Sequence, residues 1–124
     1  MSSHPFRAAV ESEDMDAAIA LLAPDVTFRS PVVHKPYEGR DTVAVLLRAV
    51  GETFEDFHYT REIADGPNHA LIFHARVGDR ELDGVDFLVT DENGLITDFM
   101  VMVRPMSGMH ALAEAMKRKL EQYA

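Results

Sequence analysis

The run Glu81-Leu-Asp-Gly-Val-Asp-Phe-Leu-Val-Thr90, the turn Asp91-Glu-Asn-Gly94 and the run Leu95-Ile-Thr-Asp-Phe-Met-Val-Met-Val-Arg104 decide the architecture. Both runs are rich in β-branched and aromatic residues, and the four polar residues between them are turn formers of hairpin-loop length. Period-two alternation places Asp86 on the face shared with Leu88. In the next run it sets Phe99, Val101 and Val103 on one face against Asp98, Met100 and Met102 on the other. Upstream lie two more β-compatible runs, Phe57 to Ile63 and His69 to Val77, broken by Asp65-Gly-Pro-Asn68 and Gly78-Asp79. Four strands joined by short turns predict an antiparallel meander.

Helical periodicity brackets this meander. After a short opening stretch, Met15, Ala18, Ile19 and Leu22 recur at i, i+3, i+4, i+7, with acidic residues from Glu11 to Asp16 suited to the first turn. Pro24 is expected to end that helix, because proline lacks the amide donor. Val26-Thr-Phe-Arg-Ser30 then alternates like a strand, and a loop runs from Pro31 to Gly39. Val43, Leu46, Leu47 and Val50 carry a second helical stripe, with Gly39 and Asp41 as start signals. Ser107 is expected to cap a last helix whose apolar face is Met109, Leu112, Ala113, Met116 and Leu120. Helices placed around an antiparallel sheet predict an α+β fold rather than a parallel doubly wound one.

The 124 residues suit one domain, 1–124, and 47% apolar with 27% charged residues is the composition of an ordered globular chain. A net charge of -9 repels phosphate backbones and anionic lipid, so no nucleic acid or membrane partner is expected. Cysteine is absent, which removes disulfides, thiolate nucleophiles and Cys-based zinc sites. His58, His69 and His74 form no compact ligand spacing, so neither metal nor cofactor is expected. The longest apolar run, Ala17 to Ala23, is far short of the roughly 20 residues that cross a bilayer. Met1-Ser-Ser-His-Pro5 shows no secretory pattern, which makes the cytoplasm the expected location. Lys117-Arg-Lys119 reads as a solvated helix end that favours the macrodipole.

Three passages resemble the nuclear transport factor 2-like superfamily, SnoaL-like and steroid Δ5-isomerase-like members included. They are Ser12-Glu-Asp-Met-Asp-Ala-Ala-Ile-Ala-Leu-Leu-Ala-Pro-Asp-Val-Thr-Phe28, Tyr37-Glu-Gly-Arg-Asp41 and Gly84-Val-Asp-Phe-Leu-Val-Thr-Asp-Glu-Asn-Gly-Leu-Ile96. The resemblance covers nearly the whole chain. It implies a cone-shaped α+β barrel, cystatin-like, with helices on a curved antiparallel sheet around an apolar pocket. It also implies a homodimer formed through the outer face of the sheet. Fold alone does not name a reaction, so function has to be argued from pocket residues.

By that resemblance, Asp86 stands where steroid isomerases hold a protonated acid that donates to an enolate. Desolvation by an apolar wall raises a carboxyl's pKa and permits that role. The other reading of Asp86 is a structural carboxylate, bonded to a strand or paired with arginine. The isomerase base and first-helix tyrosine correspond to Ser30 and Phe6, neither of which supplies that chemistry. The arginine that limonene epoxide hydrolase places two residues before an aspartate corresponds to Gly84, so that residue set is incomplete too. The acid of SnoaL-type cyclases on the last strand corresponds to Asp98, which faces away from Phe99. His34, in the loop at the expected pocket mouth, is the candidate acid–base partner of Asp86, with a solvated surface histidine as the other reading. The expected ligand-binding wall is Leu46, Phe73, Leu88, Phe99, Val101 and Val103, with Ser30 and Tyr37 at the mouth. Methionine and arginine on the opposite face, with His74, Arg76, Met100, Met102 and Arg104, suit a subunit interface. The expected ligand is an unidentified apolar small molecule. The expected activity is acid–base isomerisation or cyclisation; the alternative is a non-catalytic binding or dimerisation module.

Overall fold

In the computed structural model, which describes residues 3–122, the chain runs α1 (Pro5–Glu11), α2 (Met15–Ala20), β1 (Leu22–Arg29), β2 (Tyr37–Glu38), α3 (Arg40–Thr53), β3 (Glu55–Asp65), β4 (Asn68–Val77), β5 (Arg80–Thr90), β6 (Ile96–Arg104) and α4 (Met106–Gln122). The ends of the expected 1–124 domain, at 1–2 and 123–124, lie outside the described residues. The fold is α+β, as expected. Six strands form one sheet in the order β2-β1-β6-β5-β4-β3, which curves without closing. The four-strand meander is present, and β1 adds to it in parallel with β6, with Phe28 opposite Phe99. The two-residue strand β2, inside the expected loop, pairs with β1 through Phe28 and Tyr37.

Two local expectations change. α2 stops at Ala20, four residues before Pro24, because the sheet captures the chain there: the Ile96 amide donates to the Leu21 carbonyl at 2.8 Å. Pro24 lies inside β1, where the ladder to β6 is irregular between Leu22 and Thr27, so its missing N–H breaks no regular pair. α4 begins at Met106, so Ser107 sits in its first turn rather than at its cap. Asp14 does cap α2, accepting from the Ala17 amide at 3.1 Å. Gly39 precedes α3 with φ of 93°, a left-handed conformation that suits glycine.

Bulges bend the sheet. β3 breaks register with β4 twice, between Glu55 and His58 and again between Tyr59 and Arg61, and bulges increase local twist. Alternation then sorts the strands as predicted: Leu71, Phe73 and Ala75 on β4, and Leu82, Gly84, Asp86 and Leu88 on β5, are buried on the concave side. Phe6, Ala18, Leu46 and Leu112 from the four helices join them in one core. Two glycines permit close approach. The Phe73 ring lies across Gly84, its cross-strand partner, and α4 seats Gly108 on β5, where an added Cβ would stand 2.8 Å from Leu82 Cβ. Ser30 and the residues up to Pro36 connect β1 to β2, and Val32 and Val33 in this segment are exposed.

Candidate functional site

Helices α1, α3 and α4 stand off the concave face and leave a cavity of about 1100 Å³. Its walls are aromatic. Every phenylalanine of the chain except Phe87 lines it, as do Tyr37 and Tyr59. One cluster joins Phe54, Phe57, Tyr59 and Phe73, with Phe57 and Phe73 centroids 4.9 Å apart. A second joins Phe6, Phe28 and Phe99, the Phe6 and Phe99 rings meeting edge to face at 5.2 Å. Such offset and edge-on pairs are the favoured aromatic geometries.

Asp86 is the one buried charged side chain among the described residues, 7% exposed, and it lines this cavity. Its neighbours in the sheet are Leu71 on β4 and Val101 on β6, so the strands on both sides offer only apolar side chains. Tyr59 Oη donates to Asp86 Oδ2 at 3.0 Å. Among the described residues, no arginine or lysine pairs with the carboxyl. Burial raises its pKa to about 7, with the Tyr59 hydrogen bond pulling the other way. Tyr59 is in turn pushed well above the ordinary tyrosine range, first by burial and then by the Asp86 charge. The hydroxyl therefore stays protonated and remains a donor. Arg7 on α1 lies 5.8 Å from the Tyr59 ring centre and pairs with Glu62 on β3 and Glu11 on α1, which holds α1 against the tyrosine. A carboxyl that titrates near neutrality in an apolar cavity can both give and take a proton.

Of the residues expected from sequence, Asp86, Ser30, Tyr37, Leu46, Phe73, Phe99 and Val101 line the cavity. Leu88 and Val103 do not: Leu88 is consumed by the core at 1% exposure, and Val103 packs against the core at its edge. The reason is distance along the strand, since a face shared with Asp86 extends beyond the cavity in both directions. His34 is exposed and stands outside the lining, so the structure does not bring it together with Asp86. Ser30 Oγ is engaged locally, accepting from the Val32 amide at 2.9 Å. Asp98 lies on the convex face and pairs with Arg29 at 3.2 Å. Tyr59 was missed. Its signal was the alternation of Phe57 and Tyr59, which puts a phenol on an apolar face where its hydroxyl needs a partner.

The comparisons agree with this geometry. The sequence model of the SnoaL-like domain family matches residues 4–99. The solved structure of a steroid delta-isomerase from Pseudomonas aeruginosa is 48% identical, with a TM-score of 0.90 over 94% of this chain and 86% of that one. An uncharacterized protein with a cystatin-like fold from Silicibacter pomeroyi DSS-3 is 38% identical, with a TM-score of 0.89 over 95% of this chain and 86% of that one. An NTF2-like protein of unknown function from Mesorhizobium loti, 18% identical with a TM-score of 0.71 over 81% of this chain and 85% of that one, shares the fold alone. No curated protein matches the chain. With a family match spanning most of the sequence and an open, curved sheet carrying its helices on the concave side, the chain belongs to the SnoaL-like family of the nuclear transport factor 2-like superfamily.

Proposed function

We propose that the chain acts as one ligand-binding domain whose cavity takes an apolar small molecule with a carbonyl directed at Asp86, and that Asp86 moves a proton on that ligand in an isomerisation or cyclisation. The observation that carries this reading is the buried Asp86 carboxyl, set in an aromatic cavity with Tyr59 as its hydrogen-bond partner and, among the described residues, no cation paired to it. The name of the 48% identical relative supports the same class of chemistry. This chain departs from the steroid isomerase pattern at Ser30 and Phe6, which leaves Asp86, the buried carboxyl among the described residues, to exchange the proton. As a carboxylate it would take a proton from the carbon next to the carbonyl, leaving the electron pair on the enolate. As the resulting acid it would return that proton to a second carbon of the same ligand, regenerating the carboxylate.

The test compares wild type with Asp86→Asn against a panel of hydrophobic ketones and polyketide-like compounds. Turnover by wild type and a loss of about 10²–10⁴-fold in the variant is expected, the range for a positioned acid or base. Equal binding with no turnover by either protein rejects the catalytic reading and leaves a binding module, which the residues at Ser30 and Phe6 favour.

We also propose a homodimer through the convex face. There Ile72, Val85 and Met102 form one cross-strand row and Ala70, Phe87 and Met100 the next, with Met102 49% exposed. His74, Asp83 and Arg104 form a charged row at one end, and the carboxylates of Asp83 and Glu81 raise the His74 pKa. An apolar centre with a polar rim is the anatomy of a protein interface. Light scattering at micromolar concentration is expected to give twice the chain mass, and Met102→Asp to give the monomer. A monomeric wild type would refute this assignment.

A further inference from the structure

The cavity has chemistry that a carbonyl ligand leaves unused. Its interior joins one carboxyl to the faces and edges of aromatic rings, and among the described residues no cation stands beside the carboxyl to neutralise it once ionised. Aromatic faces attract cations, more so when both are out of water, and a buried carboxylate gains most from a partner that brings a positive charge. We propose that the cavity is a receptor for lipophilic ammonium ions, which would set the charged nitrogen beside Asp86 and Tyr59 and the apolar body among the phenylalanine rings.

Charges around the lining fit a cation. α1 and the turn after it contribute Glu11, Glu13 and Asp14; α3 contributes Arg48 and Glu52; β3 contributes Asp56 and His58; and α4 contributes Lys117. Arg48 is already paired with Asp16, and Glu52 with Lys119. β4, β5 and β6 place Phe73, Asp86, Phe99 and Val101 in the lining, so Asp86 is the sole charge from the sheet's centre. Beyond the cavity, Arg7 reaches the Tyr59 ring and is held by Glu11 and Glu62. The net charge of -9 adds a mean field that attracts cations to the mouth. A volume of about 1100 Å³ holds a bicyclic or larger body.

This inference shares the cavity of the function proposed above but not its reaction, and the linked proton separates the two. An ammonium ion favours the Asp86 carboxylate and expels its proton on binding, whereas a neutral carbonyl ligand brings no charge that would do so. The probes are 2-(2-naphthyl)ethylammonium and its neutral counterpart 2-(2-naphthyl)ethanol, titrated by calorimetry into wild type and Asp86→Asn. At pH 8 the ammonium ion is expected to bind wild type at least about tenfold more tightly than the alcohol, since one desolvated charge pair with ring contacts exceeds that difference. In Asp86→Asn the preference is expected to vanish. At pH 6.5, paired runs in two buffers of different ionisation heat are expected to show proton release with the ammonium ion. Equal affinity for both probes, a preference that survives in Asp86→Asn, or proton uptake overturns the inference, and binding of the alcohol in those cases leaves the pocket reading standing. Absence of binding by both probes, with hydrophobic ketones still bound, overturns the ammonium receptor alone.

Discussion

Asp86→Asn is expected to make the protein more stable at pH 8, by up to about 4 kcal/mol, and to leave it nearly unchanged at pH 4. The reasoning is linkage. The folded protein holds the Asp86 proton up to about pH 7, whereas an aspartate in the unfolded chain releases it near its ordinary 3.8. Between those two values the native state binds more protons than the unfolded one, so this group's contribution to stability falls as pH rises and levels off above about 7. Each unit of separation is worth about 1.36 kcal/mol, and the full separation sets the upper figure. Asparagine is a neutral isostere of the protonated acid, and its carbonyl oxygen can still accept from Tyr59 Oη. The difference between the two proteins isolates this carboxyl from every other titrating group. Chemical denaturation of both from pH 4 to pH 8 measures it, and a difference that does not grow with pH would refute the buried, cation-free placement of Asp86. Stability lost to an ionisable group beside a cavity is the expected signature of a site kept for function.

The second large effect concerns Gly84 and Phe73. A methyl group at Gly84 would stand 2.8 Å from Phe73 Cε1 and Cε2 and closer still to Cζ, distances that aromatic carbon does not tolerate. Gly84→Ala is therefore expected to cost about 1–3 kcal/mol by overpacking. Phe73→Ala removes a ring that is 1% exposed and touches Phe54, Phe57 and Tyr59, for an expected cost of about 3–5 kcal/mol. The two sites are opposite each other across the β4–β5 ladder, so their effects should not add. In a Phe73→Leu background, Gly84→Ala is expected to lose at least about 1 kcal/mol of its cost, because the narrower side chain leaves room for the methyl group. Urea denaturation of the four proteins in the cycle measures this, and additive effects would show that the ring does not rest on Gly84. Since Phe73 also lines the cavity, Gly84→Ala should weaken ligand binding along with the fold.

Local chemistry made most of the fold legible. Turn formers at Asp65-Gly-Pro-Asn68, Gly78-Asp79 and Asp91-Glu-Asn-Gly94 punctuate β3 to β6, whose ends fall within two residues of the expected positions. Alternation correctly separated Phe99 and Val101 from Asp98 because a strand that buries one face imposes a period of two on its residues. The two misreadings concern helix ends. Pro24 and Ser107 are strong local signals, yet α2 ends earlier through a backbone bond to Ile96, and α4 starts one residue ahead of its expected cap. Long-range pairing outweighed local preference at the end of α2, whereas α4 opens on a local bond from the Met109 amide to the Pro105 carbonyl at 2.9 Å.

The amino-acid sequence by itself determined the α+β class, the strand faces, the location of Asp86 on an inward face and, through three passages, the family. Those properties follow from periodicity and turn chemistry, which act over a few residues. Only the tertiary structure decided that Tyr59, 27 residues before Asp86, is the residue that bonds its carboxyl, that His34 stands outside the lining, and that Leu88 serves the core instead of the cavity. Two bulges in β3 and the stand-off of α1, α3 and α4 set which parts of a shared face remain open. Curvature and helix placement are sums over the whole sheet, and no window of the chain contains them.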